Sequence, residues 1–335
     1  MSAIGIVAIG RNEGERLRRC LQSAIGAADV VVYVDSGSTD GSVVMAREMG
    51  AAAVELDMSI PFTAARARNE GFAQLMKLAP ETIYVQFVDG DCEIVAGWIE
   101  RTAQTLAADE HVAVVCGRRR ERHPHASVYN KLCDIEWNTP IGETKSCGGD
   151  AMMRVAAFRQ VSGFDRDVIA GEEPELCVRL RQAGWKIRRV DAEMTLHDAA
   201  MTRFSQWWKR MVRGGHAYAQ GCAMHGAPPE RHWVKETRRI VFWGLILPLA
   251  IIAFAWPTRG WSLIGLLLYA VLFWRVKRSA KRRGLSAGDA RLYARYTVIG
   301  KFAEAQGLIT YHASRLLGRR TKLIEYKGLP ASTCR

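Results

Sequence analysis

Short apolar runs and longer amphipathic segments alternate along the first 116 residues of the chain. The apolar runs are rich in β-branched residues and have the length of buried strands. They predict strands at Ile4–Ile9, Val30–Asp35, Ala52–Leu56, Ile83–Val88 and Val112–Cys116. The segments between them predict helices at Glu13–Ala27, Gly41–Gly50, Thr63–Leu78 and Ala96–Ala107. This order predicts an α/β fold with a doubly wound, mostly parallel sheet, whose strands end at one ligand-binding edge.

The second half of the chain is less regular. Residues 118–149 are polar and aperiodic, which predicts long loops and one helix that crosses the sheet edge. Helices are predicted at Pro174–Ala183, where proline takes the first position, and at Met201–Ala223. Two uncharged apolar runs follow, at Ile240–Trp256 and Trp261–Trp274.

These two runs predict a transmembrane helical hairpin. Each lies at the short end of the lengths that cross a bilayer, and tryptophans lie near the run ends, as interfacial aromatic residues do. Basic residues flank the pair, which by the positive-inside rule puts both flanks in the cytoplasm. A buried helical hairpin of a soluble domain, or a re-entrant pair, is the alternative. The predicted division is a catalytic domain at 1–235, the hairpin at 236–278 and a basic, amphipathic cytoplasmic tail at 279–335.

The positive charge of the chain is concentrated in this tail. The formal net charge is +13, and residues 275–335 hold 15 of the 47 Lys and Arg but only 3 of the 34 Asp and Glu. Next to apolar runs, such a tail favours anionic membrane lipids over nucleic acid as a partner.

The N-terminus and the cysteines bear on the compartment. The chain starts without a basic leader, so no secretory signal is expected. Eight scattered cysteines without a C-x-x-C pair predict reduced thiols rather than a disulfide framework or a zinc site. Together these features predict an inner-membrane protein whose catalytic domain lies on the cytoplasmic face.

Two carboxylates, Asp89 and Asp91, follow the apolar strand at Ile83–Val88. Two acids at the end of a buried strand are costly unless a positive charge lies between them. At the carboxyl edge of an α/β sheet, the natural occupant is a hard divalent cation that bridges the phosphates of a nucleotide. An ordinary Asp-Gly turn is the alternative.

Three further segments lie at the same predicted edge. Asp35 ends the second strand and can accept hydrogen bonds from a base or ribose, although capping of the next helix would explain its polar neighbours. Glu13 follows the first strand, where it would either line a nucleotide pocket or interact with a helix dipole. Arg66 and Arg68 lie near the start of a helix. Arginine suits a diphosphate, but a surface charge pair is equally compatible with the pattern.

Taken in order, these motifs resemble those of the nucleotide-sugar-dependent glycosyltransferases of family 2. The first four are Asn-Glu, Asp-Ser-Gly-Ser-Thr-Asp, Ala-Arg-Asn-x-Gly and Asp-x-Asp, which begin at residues 12, 35, 67 and 89. The later ones are the glycine pair Gly148–Gly149, the turn Gly163–Asp165 and the acidic motif Gly171–Leu176 with the helix after it. The resemblance covers roughly residues 2–222.

The resemblance implies the glycosyltransferase-A fold, a nucleotide-diphosphate sugar donor, a divalent metal (Mn²⁺ or Mg²⁺) and inversion at the anomeric carbon. By position, it implies that Glu13 and Asp35 hold the base and ribose and that Arg68 approaches the diphosphate. It also implies that Asp89 contacts the ribose or the metal, and that Asp91 holds the metal.

The family's acidic motif implies a catalytic base as well. Its second residue is usually an aspartate, and in this chain it is Glu173, with Glu172 and Glu175 beside it. Ser36 stands where many relatives carry another aspartate. His197 follows a short predicted strand. In several glycosyltransferases of this fold a late histidine completes the metal site, and an ordinary polar residue at a strand end is the alternative.

The sequence therefore predicts an inverting glycosyltransferase of the hexosyltransferase type. It would move one sugar to a hydroxyl of a lipid-linked or other glycan acceptor in the synthesis of cell-surface polysaccharide or lipopolysaccharide. A sugar nucleotidylyltransferase would instead need a glycine-rich loop after the first strand, where this chain has Gly10–Glu13. A non-catalytic nucleotide-binding membrane scaffold would be favoured by loss of an acid, yet Asp89 and Asp91 are both present.

Overall fold

A computed structural model describes residues 3–318, which form two compact units. The first unit contains residues 3–124 and 136–200, and the second contains residues 125–135 and 201–318. The last part of the predicted basic tail, residues 319–335, lies outside the described residues. The predicted domain limits after residues 235 and 278 stay a prediction.

The first unit is built on a mixed sheet. Its strands within residues 3–318 are β1 (Ile4–Gly10), β2 (Val30–Asp35), β3 (Ala52–Glu55), β4 (Tyr84–Asp89), β5 (Cys92–Ile94), β6 (Val112–Glu121), β7 (Gly142–Glu143), β8 (Ala151–Arg154) and β9 (Lys186–His197). Their order is β3-β2-β1-β4-β8-β6-β9-β5, and β7 also pairs with β9. The five predicted strands are confirmed as β1, β2, β3, β4 and β6.

Helices connect these strands and form the second unit. They are α1 (Glu15–Ala24), α2 (Ser42–Glu48), α3 (Ala64–Leu78), α4 (Trp98–Ala108), α5 (Val128–Glu136), α6 (Val155–Gln160), α7 (Glu172–Gln182), α8 (Phe204–His225), α9 (Val234–Val241), α10 (Leu247–Ala253), α11 (Leu267–Arg282) and α12 (Ala287–Leu316). A π-helical turn at Phe242–Ile246 joins α9 to α10, and a 3₁₀ segment at Trp261–Leu266 precedes α11.

The expectation of a mostly parallel sheet was wrong. β1 runs parallel to β2 and β4, but β8 runs antiparallel to both of its neighbours, β4 and β6. β5 and β7 run antiparallel to β9. These three strands have only 3, 2 and 4 residues for β5, β7 and β8, too few to show a period in the sequence. β6 extends to Glu121 through an arginine-rich stretch, where the sequence predicts a loop.

Helix α3 packs unusually close to the sheet. A Cβ on Gly71 would lie 2.8 Å from a methyl group of Val34 and closer still to Val7. Only glycine lets the helix approach β1 and β2 to this distance. The contact fixes the start of α3, which carries Arg68, over the carboxyl ends of these strands.

The helices α8 and α12 form the centre of the second unit. A Cβ on Gly215 of α8 would meet the backbone of Glu304, and a Cβ on Gly307 of α12 would meet the backbone of Val212. The two helix backbones therefore touch at small residues.

The predicted membrane-spanning hairpin at 240–274 is not supported. Among residues 3–318, no helix combines the length and the apolar character that crossing a bilayer requires. From Ile240 the helical run reaches only Ala253, so about 14 residues cover about 21 Å of a hydrocarbon core about 30 Å thick. On the other arm, α11 carries charged residues from Arg275 onward.

His216 is a buried titratable group in the second unit. Neither of its ring nitrogens has a hydrogen-bond partner among residues 3–318, and the ring packs edge-on against Tyr311 with centroids 5.2 Å apart. Burial, with a smaller effect from the charge of Arg213, lowers the pKa of His216 from 6.5 to about 4. The imidazole is therefore neutral at pH 7.

Acid should destabilise the second unit through this residue. As the pH falls from 6.5 towards 4, the unfolded chain binds a proton that the folded chain rejects, so the free energy of unfolding decreases. Between pH 7 and pH 4.5 the wild type should lose free energy of unfolding, as measured with urea. We expect His216→Phe to reduce this loss by about 2 kcal/mol. His312→Phe, at an exposed position of α12, should keep the full loss. Equal acid sensitivity of the wild type and His216→Phe would contradict this assignment.

Candidate active site

The register of three parallel strands places the predicted site segments side by side. Gly10 at the end of β1 lies opposite Asp35 on β2, and Ile9 lies opposite Asp89 on β4. The loop after β1, which carries Glu13, therefore lies between the ends of β2 and β4. This is the shared edge that the sequence predicts.

Asp35 is buried and shapes the turn after β2. One carboxylate oxygen accepts hydrogen bonds from the backbone N–H groups of Gly37 and Ser38, at 2.9 and 2.7 Å. The other accepts a hydrogen bond from the Tyr33 hydroxyl at 2.8 Å. Burial and the adjacent carboxylate raise the pKa of Tyr33, which keeps this hydroxyl a donor. The predicted contact of Asp35 with a base or ribose stays a prediction.

The loops after β1 and β2 are tied together by Asn12. Its backbone N–H donates to the Ser38 hydroxyl at 2.8 Å, and its side-chain oxygen accepts from the backbone N–H of Thr39 at 2.7 Å. Glu13 forms an ion pair with Arg16 at 2.8 Å. Its predicted contact with the nucleotide stays a prediction.

Arg68 joins two acidic segments at the strand edge. Its guanidinium contacts one oxygen of Asp89 and one oxygen of Glu172, each at 2.7 Å, and its side chain is 3% exposed. Burial disfavours the charge, but the two carboxylates outweigh this effect and keep the pKa of Arg68 above its usual value. The arginine thus ties the end of β4 to the start of α7. Arg66, by contrast, donates to main-chain carbonyls and stabilises a loop.

Arg119 and Asp150 were missed as site residues. Arg119 contacts the second oxygen of Asp89 at 3.1 Å and binds Asp150 through two nitrogens, at 2.6 and 2.8 Å. The fully buried Asp150 also accepts the backbone N–H of Asp89 at 3.0 Å. Asp89 is therefore held between two arginines. An arginine run directly after an apolar strand is the available signal, but the polar, aperiodic pattern of residues 118–149 predicts loops and one helix rather than a strand.

Asp91 and His197 come together at a second buried point of the edge. The antiparallel register of β5 and β9 sets Cys92 opposite His197, which brings the His197 Nε2 atom to 3.3 Å from an Asp91 oxygen. The Nδ1 atom lies 3.4 Å from a carboxylate oxygen of Glu121, the last residue of β6. The rings of His197 and Trp137 also pack in a T-shaped arrangement, with centroids 4.7 Å apart. Glu121 was not predicted from the sequence.

This arrangement fits a divalent cation. A carboxylate oxygen and an imidazole nitrogen that face each other are ligands suited to Mn²⁺. A carboxylate on the far ring nitrogen, as Glu121 provides, is the usual device that orients a metal-binding histidine. Both oxygens of Asp89 contact an arginine, so Asp91 and His197 are better placed to hold the ion. The roles predicted for Asp89, Asp91 and His197 stay predictions.

Glu173 lies in the first turn of α7 and is buried. One carboxylate oxygen accepts the backbone N–H of Cys147 and lies 3.4 Å from the Cys177 sulfur. Its neighbours are ion-paired, Glu172 with Arg68 and Glu175 with Arg179. Within residues 3–318, Glu173 has no ion pair with a basic residue.

Removal of the Arg68 side chain should be strongly destabilising. Arg68→Ala leaves Asp89 and Glu172 without the cation that they share, and breaking a buried pair from one side costs about 3–5 kcal/mol. We discount this to about 3 kcal/mol because Asp89 is 29% exposed and also contacts Arg119. Urea unfolding of the full chain measures the loss.

Arg166→Ala is the matched control. Arg166 is 66% exposed and lies 3.7 Å from Glu70, so its removal should cost less than about 1 kcal/mol. A similar small cost for Arg68→Ala would show that the bridge between β4 and α7 contributes little.

Comparison with known proteins gives a family match in the first part of the chain. Residues 6–160 match the family model "Glycosyl transferase family 2". A pre-mycofactocin glycosyltransferase of Mycobacterium tuberculosis is 26% identical over 232 residues, which are 64% of this chain and 46% of the relative. Glycosyltransferase AglE of Haloferax volcanii is 25% identical over 222 residues, 62% of this chain and 70% of the relative. The chain spans about half the length of the first of these relatives.

Solved structures share the fold. A mannosyltransferase of Pyrobaculum calidifontis, determined with GDP-Man and Mn²⁺, superposes with a TM-score of 0.62 at 19% identity, over 92% of this chain and 86% of that one. S. aureus TarS 1–349 superposes with a TM-score of 0.51 at 14% identity, over 95% of this chain and 92% of that one. The mixed α/β sheet is therefore of the glycosyltransferase-A type.

Proposed function

Because residues 6–160 form a family 2 glycosyltransferase domain, we propose that this chain is an inverting, metal-dependent glycosyltransferase. It takes its sugar from a nucleotide-diphosphate donor bound across the ends of β1, β2 and β4. The observation that carries the proposal is the buried pair of Asp91 and His197, backed by Glu121 and adjacent to Asp89. A carboxylate and an imidazole at this position fit a metal that binds a diphosphate.

The residues at the carboxyl edge of the sheet would have different roles in donor binding. Asp91 and His197 would hold the cation, and Glu121 would keep the imidazole oriented. A bound Mn²⁺ or Mg²⁺ supplies charge that stabilises the departing diphosphate. Arg68 and Arg119 hold Asp89 from both sides, which fixes this carboxylate for the ribose or the metal. Asp35 and Glu13 lie at the adjacent strand ends, where the base and ribose would bind.

Glu173 would act as the base. In inverting transfer, the acceptor hydroxyl attacks the anomeric carbon from the face opposite the diphosphate and gives up its proton. Glu173 is the acid of its motif that no basic residue of the described chain neutralises, so its carboxylate is available to take this proton. The acceptor would be a glycan or a lipid-linked glycan precursor of a cell-surface polysaccharide.

Nucleotide-sugar binding tests the proposal directly. The full chain would be incubated with a panel of UDP-, GDP- and dTDP-sugars and Mn²⁺ or Mg²⁺, and both donor binding and release of nucleoside diphosphate would be measured. We expect one donor to bind and to be cleaved, and chelation to abolish cleavage. Failure to bind any nucleotide sugar, with or without metal, would overturn the proposal.

We also propose that the chain attaches to the cytoplasmic face of the inner membrane through the second unit. Fourteen large apolar side chains are exposed between residues 242 and 274, among them Trp256 at 93% and Trp261 at 73%. Arg259 lies between these tryptophans, and the basic end of α11 follows. An apolar surface with tryptophans and adjacent cations suits the headgroup region of an anionic bilayer.

Sedimentation with vesicles tests this attachment. The full chain should bind phosphatidylglycerol vesicles more strongly than phosphatidylcholine vesicles. Trp256→Ser combined with Trp261→Ser should weaken binding, whereas Trp185→Ser in the first unit should not. Equal binding by the double variant would exclude this surface as the attachment point.

A further inference from the structure

We propose that Cys147, Cys177 and Glu173 form a binding site for a thiophilic divalent cation such as Zn²⁺. The site is distinct from the oxygen and nitrogen ligands Asp91 and His197. Its ligand atoms are two sulfurs and one carboxylate oxygen, which together lie within 4.8 Å of one another. Both cysteines are free thiols in the structure.

Two of the three separations between the ligand atoms match those of a tetrahedral zinc site. The two sulfurs are 3.7 Å apart, and the Cys177 sulfur is 3.4 Å from the Glu173 oxygen. With Zn–S bonds of about 2.3 Å, Zn–O bonds of about 2.0 Å and tetrahedral angles, these separations would be about 3.8 and 3.5 Å. A cation bound by these three atoms would have a fourth tetrahedral position open for water.

One helix and the irregular segment after β7 hold these ligands. Glu173 and Cys177 are four residues apart on α7, so they lie on the same face of the helix. Cys147 follows β7, and its backbone N–H donates to Glu173. The backbone N–H of Thr144 donates to the carbonyl of Ile187 on β9 at 2.9 Å, which anchors the segment that leads to Cys147. Because Cys147 and Cys177 are 30 residues apart, no spacing motif reveals the pair.

The charges of the cluster also favour a cation. Glu173 is 7% exposed, and no basic residue within residues 3–318 forms an ion pair with it. A buried carboxylate without a counter-charge is costly, and a cation bound here would give the Glu173 carboxylate a direct counter-charge. Binding converts two thiols to thiolates and releases two protons to solvent, so the net charge of the cluster is −1 both before and after a dipositive ion binds.

Occupancy of this site would block transfer, an effect that rests on the proposed role of Glu173 as the base. A carboxylate that coordinates Zn²⁺ cannot take the proton of an acceptor hydroxyl. Zn²⁺ should therefore inhibit sugar transfer that Mn²⁺ supports. Binding itself does not depend on this role, so the two can be tested separately.

Cobalt titration tests the site in the full chain. Co²⁺ bound by thiolates gives a strong near-ultraviolet charge-transfer band, which oxygen and nitrogen ligands do not give. We expect one equivalent of Co²⁺ to produce this band and Zn²⁺ to remove it. The band should persist in Asp91→Asn and in Cys222→Ser of the second unit, and should be lost in Cys147→Ser and in Cys177→Ser.

The outcomes separate the two proposals. Absence of the band in the wild type, or its persistence in both serine variants, overturns the thiolate site. A band in a protein that binds no nucleotide sugar keeps the thiolate site and overturns the proposed transferase. The titration of the wild type can refute the site by itself. The test therefore remains valid even if a serine variant fails to fold.

Discussion

Asp91→Asn should abolish metal-dependent sugar transfer. The substitution keeps the shape of a side chain that is buried against His197 but removes the charged oxygen that would hold the cation. Loss of a metal that stabilises a departing diphosphate costs several kcal/mol, so we expect turnover to decrease by about 1,000-fold. The measurement is release of nucleoside diphosphate at saturating donor with Mn²⁺, together with Mn²⁺ binding by electron paramagnetic resonance.

Asp109→Asn provides the matched control. Asp109 is a carboxylate of the same unit that pairs with Arg188 at 2.7 Å, but it lies before β6, at the opposite edge of the sheet. Its substitution should leave turnover and Mn²⁺ binding unchanged. If Asp91→Asn kept wild-type turnover, Asp91 would not be a metal ligand.

Glu173→Gln should produce the second largest loss of sugar transfer, but without a loss of donor binding. The amide keeps the hydrogen bond from the backbone N–H of Cys147 but cannot accept a proton from the acceptor. General-base catalysis contributes about 10²–10⁴-fold, so we expect transfer to decrease by about 1,000-fold while donor affinity stays unchanged. Comparison of the transfer rate with nucleotide-sugar binding by calorimetry separates the two effects.

Glu173→Asp is the informative companion variant. Aspartate restores the carboxylate with a side chain shorter by one methylene, so transfer should recover in part relative to Glu173→Gln. Equal loss in both variants would indicate a positional rather than a proton-transfer role. Full activity of Glu173→Gln would show that another residue acts as the base.

Much of the first unit could be predicted from local pattern. The strands β1, β2 and β4 are apolar runs of six or seven residues, and their parallel order puts Glu13, Asp35 and Asp89 at one edge whatever the details of packing. The motif glycines follow the same logic, since Gly71 is required where α3 touches the sheet. These features depend on residues that are near in sequence or on the general handedness of α/β units.

The apolar runs between residues 240 and 274 show the limit of composition. Hydrophobicity and flanking charge alone favoured a transmembrane hairpin. The helical run from Ile240 ends at Ala253, and α11 continues into its charged part. Composition records how apolar a segment is, but the length of uninterrupted apolar helix decides whether it can cross a bilayer.

The sequence by itself determined the strand–helix order, the edge at which Asp35, Asp89 and Asp91 lie, and the resemblance that points to sugar transfer. Only the tertiary structure decided which partners those acids have. His197 reaches Asp91 through the antiparallel register of β5 and β9, and Arg119 reaches Asp89 although 30 residues separate them. The physical reason is that β5 is too short to show a period and that Arg119 lies in a polar extension of an apolar strand, whereas strand register fixes contacts between distant parts of the chain.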